Sequence, residues 1–132
     1  MPPEPCHWLY FAAGLLTVVV AAVHSILGER WIFRRLRRGG VVPTDGGTVL
    51  REPHVRILWA SWHILSVFGL ALAALLFDQA AHPGPKWIPF AVALAMTVAS
   101  DLVYFGTRGK HLGWVGLLGV AVLTVLGITL GP

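Results

Sequence analysis

Four residues set in otherwise apolar sequence have chemistry to offer: His24, His63, Asp101 and His111. Imidazole nitrogens and a carboxylate form an N/O donor set suited to zinc, iron or copper. His24 and His63, if they lie on adjacent helices, are candidate axial ligands of a haem. A histidine titrates near neutrality, so the same groups can relay protons or ions. They can also do no chemistry and serve as a hydrogen-bonded clasp that fixes helix packing. Local spacing does not choose between these four readings: the sequence has no His-x-x-x-His, no Glu-x-x-His and no pair of cysteines. The cofactor therefore stays open, with haem or a transition metal as candidates, and so does the question of whether the protein is an enzyme.

Asp101 is the most informative of the four. A carboxylate in hydrocarbon is expensive, so such groups face a bundle interior and seek a partner. His24, His63 or Arg108 can supply one. Arg108 follows by two helical turns and lies near the same face, from which it can pair or snorkel.

What must position these residues is a set of membrane helices. The chain of 132 residues has room for one domain. It is 56% hydrophobic and only 12% charged, where soluble domains carry about 25%. Four stretches, about 8–27, 57–77, 87–106 and 112–130, are long enough to span, and only the third contains a formal charge, Asp101. Backbone groups in lipid must be satisfied within the segment, so the spans are helices. The expected fold is an all-α, up-down bundle of four transmembrane helices forming a single domain over 1–132. The first span is not a signal peptide in this reading, because its lead has Glu4 and no Lys or Arg. Cys6 is alone, and no internal disulfide can form.

The connections follow from turn chemistry. Met1 to His7 carries three prolines and reads as an irregular lead. The first helix is expected to run on as a basic extension and to stop at Gly39-Gly40. Glu52-Pro53 reads as the start of the second helix. A short loop, 78–86, leads to the third helix. The tight connector Thr107-Arg108-Gly109-Lys110 makes the last two helices antiparallel neighbours.

Charge then sets orientation. The segment from Gly28 to Arg56 holds seven arginines, Arg108 and Lys110 lie in the last connector, and Lys86 alone lies on the other side. The positive-inside rule makes the nine-residue side cytoplasmic, with both termini outside. The run Arg30, Arg34, Arg35, Arg37 and Arg38 reads as a topology anchor beside anionic headgroups, each charge contributing about 1 kcal/mol. No separate soluble domain supports nucleic-acid binding. In this orientation His24, His63, Asp101 and His111 all fall within about 10 Å of the cytoplasmic boundary, with Ser25, Glu29, Ser66, Ser100 and Tyr104 at similar levels.

Other features carry less. Trp59 and His63 share a helix face, Trp59 as part of an interfacial belt and Trp62 as a wall for a flat ligand such as a haem or quinone. His7, His54 and His82 read as solvated. Gly113, Gly116, Gly119, Gly127 and Gly131 allow close helix packing, within the chain, in a homo-oligomer or in a larger membrane complex.

The motifs His24-Ser25-Ile26-Leu27-Gly28-Glu29-Arg30, Trp62-His63 and Arg108-Gly109-Lys110-His111-Leu112-Gly113-Trp114 resemble a group of small bacterial four-helix inner-membrane proteins without an assigned activity. The resemblance implies a bacterial inner membrane and four helices, and it brings no reaction. Gly106 to Trp114 is also faintly similar to a stretch of the cytochrome b subunits of succinate dehydrogenase, but Gly109 and Lys110 interrupt the pattern and no haem ligand is carried over. The expected function is that of a small integral inner-membrane protein with a buried His/Asp cluster, an accessory or binding protein. A haem- or metal-dependent redox enzyme or subunit and a proton- or ion-coupled transporter are the alternatives.

Overall fold

In the computed structural model, which describes residues 5–131, four α-helices carry the chain: α1 Pro5–Trp31, α2 Glu52–Ala81, α3 Trp87–Thr107 and α4 Gly113–Leu130. No strand occurs among the described residues. All four helices are long and apolar enough to cross a membrane. Much of their apolar surface is exposed, as at Leu15, Val67, Phe90 and Leu102. An apolar exterior of this extent is consistent with helices that cross a membrane.

The helix ends refine the sequence reading. The α-helix begins at Pro5, so residues 5–7 are helical rather than irregular; proline is pre-set for a first turn. Residues 1–4 of the expected lead lie outside the described residues. At the other end α1 stops at Trp31, well short of Gly39-Gly40, and a 3-10 turn follows over Phe33–Leu36. Two causes combine. Arginines three and four apart repel along a continuous helix. Turning the chain also buries Phe33, only 3% exposed, against the rings of Trp62 and His63. Helix α2 starts at Glu52 as expected and runs one turn past Phe77.

Two compact units make up the chain, Met1–Val20 with Gly69–Pro132, and Ala21–Phe68. In the first, the core is Cys6, Tyr10 and Ala13 of α1, Leu76 of α2, Val92 and Met96 of α3, and Val120 and Ala121 of α4. Glycines of α4 receive α1 side chains: a Cβ on Gly116 would meet Val20 at 2.8 Å, on Gly119 Leu16 at 3.1 Å and on Gly127 Tyr10 at 2.7 Å. Buried Thr17 and Thr124 return their hydroxyls to the carbonyls of Ala13 and Val120, so neither leaves a polar atom unsatisfied. Helices α3 and α4 pack together across a tight turn, where Arg108 and Gly109 adopt left-handed backbone and the Gly109 N–H caps α3 at Tyr104 O, 2.7 Å. His7 is half-buried rather than solvated, and its Nδ1 donates to Ala80 O at 2.7 Å.

In the second unit the ends of α1 and α2 are joined by the 3-10 turn and a loop. Arg38 grips Asp45 with two hydrogen bonds of 2.7 and 3.0 Å, and Asp45 also accepts from the Gly47 N–H at 3.0 Å. The Arg38 guanidinium, helped by that N–H, holds the Asp45 carboxyl below its ordinary range. A carboxyl lowered in the folded state stabilises the loop above the ordinary aspartate range and loses that contribution as pH falls through its folded value. Protection of the Gly47 amide from hydrogen exchange is thus expected to hold from neutrality to about pH 4 and to fall in stronger acid. Asp45→Asn should abolish this acid step; an unchanged step in the variant would assign it to another group.

Candidate functional site

The candidate site lies wholly within the second unit and starts from a notch. Trp62 of α2 lays its indole against Gly28 of α1 so closely that any Cβ there would overlap the ring. Its Nε1–H donates to His24 O at 3.0 Å, and its face stacks on the His24 imidazole, centroids 4.3 Å apart and 7° from parallel. Glycine at 28 is what lets the ring reach the helix backbone. The flat partner of Trp62 is thus a side chain of the same protein.

The notch brings the next residue of each helix together. Glu29 follows Gly28, and His63 follows Trp62. Glu29 gathers donors: Arg37 pairs with Oε1, Trp59 Nε1 donates to Oε2 at 3.2 Å, and His63 Nε2 lies 3.6 Å from Oε2. On the other side of the imidazole, Nδ1 is 2.9 Å from Ser25 Oγ, and Ser25 donates to Ser66 Oγ at 2.9 Å. Ser25 Oγ thus sits between the His63 ring and Ser66 Oγ, within hydrogen-bond distance of both. Three polar side chains, Ser66, Ser25 and His63, therefore form a hydrogen-bonded series that starts at a buried hydroxyl, and the part-exposed Glu29 carboxylate lies 3.6 Å beyond its imidazole end.

Beside this series opens a pocket of about 550 Å³, lined by Glu29, Arg37, Gly40, Val41, Trp59 and His63. Arg37 is fastened to its rim, since Nε donates to Val41 O at 2.6 Å while the other end of the guanidinium holds Glu29. An ion pair, an imidazole and an indole line one shallow, open depression, where a polar group attached to an apolar one finds partners for both ends.

Asp101 and His111 belong to the first unit. Asp101 is exposed on α3, and no hydrogen bond or ion pair reaches it among the described residues. His111 is exposed just before α4; its Nδ1 accepts from the Gly113 N–H at 3.0 Å and so serves one of the orphan donors of the helix start. Among the described residues no group of three or more His, Cys, Asp and Glu side chains is arranged to hold a metal ion. Arg37 and Trp59 are the site residues that sequence reasoning assigned elsewhere, one to the anchor and one to the interfacial belt. Only the break in α1 at Trp31 lets Arg37 fold back on Glu29, and no periodic spacing marks it.

Comparison with protein families, curated proteins and solved structures finds no match to this chain.

The notch makes a direct prediction. Gly28→Ala forces the Trp62 ring away and should cost about 1–3 kcal/mol, the usual range for overpacking. It should lower the melting temperature in mild detergent and weaken the near-ultraviolet circular dichroism of the stacked indole. A variant with unchanged stability and spectrum would contradict the close contact.

Proposed function

We propose that the protein is a multi-pass protein of the bacterial inner membrane, a single-domain up-down bundle of its four helices. In this reading the 28–56 segment and the 107–110 connector face the cytoplasm, and both termini lie outside. The arginine distribution supports this orientation, because nine of the ten positive residues fall on that side.

Its role is that of an accessory or binding protein, and the pocket lined by Glu29, Arg37, Trp59 and His63 is the observation that carries this reading. In the proposed orientation the pocket opens at headgroup depth on the cytoplasmic side. The ligand is then an amphiphile, its polar end against the ion pair and its apolar end along Trp59 and Val41.

A second reading, proton transfer, is favoured by one observation. Ser66, Ser25 and His63 are hydrogen-bonded in series with Glu29 3.6 Å beyond, and hydroxyl and imidazole groups pass protons along such links.

The readings separate experimentally. The chain purified in mild detergent is expected to be colourless and to retain a membrane amphiphile by mass spectrometry, which Trp59→Ala should lose. A visible chromophore would transfer the weight to a redox role. Proton flux in proteoliposomes that is abolished by His63→Phe would establish the relay instead. Reporters fused after residue 132 should read as outside; a cytoplasmic signal would reverse the orientation.

A further inference from the structure

We propose that the pocket takes the phosphate of an anionic lipid, held between the Arg37 guanidinium and Nε2 of His63; this rests on the binding reading above and names its ligand. The remaining hydrogen-bond capacity points there. Arg37 uses Nε for Val41 O and Nη1 for Glu29, and no hydrogen bond among the described residues uses its Nη2. Trp59 has committed its N–H to Glu29. His63 lines the pocket; its Nδ1 is engaged by Ser25, while Nε2, at 3.6 Å from Glu29, is beyond hydrogen-bond distance. What the pocket offers an occupant is therefore the donors of a guanidinium and, with a proton on Nε2, an imidazole N–H. Such donors call for an oxygen-rich anion, and a guanidinium fork matches phosphate oxygens. Glu29, which also lines the pocket, pairs with Nη1 of Arg37, and Val41 O takes Nε, so the fork is held before a ligand arrives.

The surrounding charge agrees. Of the five arginines in the run, Arg37 and Arg38 are paired with Glu29 and Asp45. Arg30, Arg34 and Arg35 are exposed and form no ion pair among the described residues. Three uncompensated guanidinium groups draw anions towards this end of α1. About 550 Å³ is room for a headgroup and the first part of its stem. Val41, 76% exposed, and the Trp59 indole offer that stem an apolar wall. Free phosphate would satisfy the donors but leave this wall in water, so a lipid is the source.

The test uses the full chain in maltoside micelles, with native mass spectrometry reading occupancy. Three probes separate the parts of the ligand: dioctanoyl phosphatidic acid, dioctanoyl glycerol and inorganic phosphate. Phosphatidic acid should bind one per chain, about tenfold or more tighter than either other probe. Arg37→Gln should weaken it by about tenfold. Val41→Trp should do the same by filling the cavity without touching the ion pair, and it decides the matter if the first variant does not fold. Arg34→Gln, outside the pocket, should change binding by no more than about fivefold. Equal binding of dioctanoyl glycerol would overturn the phosphate and leave the pocket as an amphiphile site. Equal binding of inorganic phosphate would overturn the lipid. Binding of all probes unaltered by Val41→Trp would overturn the pocket itself, and the binding reading with it.

Discussion

Much of the second unit depends on the contact between Trp62 and the backbone of α1 at Gly28. Where apolar helices cross a membrane the hydrophobic effect supplies little between them, and packing and hydrogen bonds must hold them together. An indole supplies both when its N–H finds an acceptor. Here His24 O is that acceptor, and the missing side chain of Gly28 is the space the ring needs. His24 covers the face of the same ring, which gives this histidine a structural task irrespective of any ligand. With Trp62 fixed against Gly28, the adjacent residues His63 and Glu29 meet without further design.

The arginine run resolves into two populations by the same logic. A continuous basic helix would send its guanidinium groups outward on all sides. Burial of Phe33 breaks the helix and turns the chain, so that Arg37 comes back to Glu29 and Arg38 reaches Asp45. Those two arginines hold local structure, while Arg30, Arg34 and Arg35 stay exposed. Ion pairs near a surface contribute modestly to stability, so their main consequence here is geometric: Arg38 with Asp45 fixes the loop, and Arg37 with Glu29 lines the pocket.

Polar side chains within the helices follow a different economy in each unit. In the first, Thr17, Thr97 and Thr124 bond to carbonyls one turn back, and Ser100 donates to Trp114 O, 2.9 Å. These groups are satisfied and closed. In the second, Ser25, Ser66 and His63 bond to one another, side chain to side chain, and His63 and Glu29 line an open pocket. The second arrangement is the one that a ligand or a proton can enter.

How much was legible in the sequence depends on the range of the interaction. Four helices were readable, because runs of about twenty residues with at most one charge are long and apolar enough to cross a membrane; the end of α1 at Trp31 was not. The starts at Glu52-Pro53 and Trp87 were readable because local turn chemistry sets them. His24 and His63 stood out because an imidazole in such a run is costly. Their partners did not. Nothing in the order of residues ties Arg37 to Glu29 across a broken helix, or lays Trp62 on Gly28 from another helix. Sequence by itself determined the helices and the asymmetry of charge, since both follow from the transfer of single residues into lipid. Only the tertiary structure decided that Gly28 is a notch, that Trp62 is spent on His24, and that Arg37 belongs to a pocket, because each of those facts is a contact between distant residues.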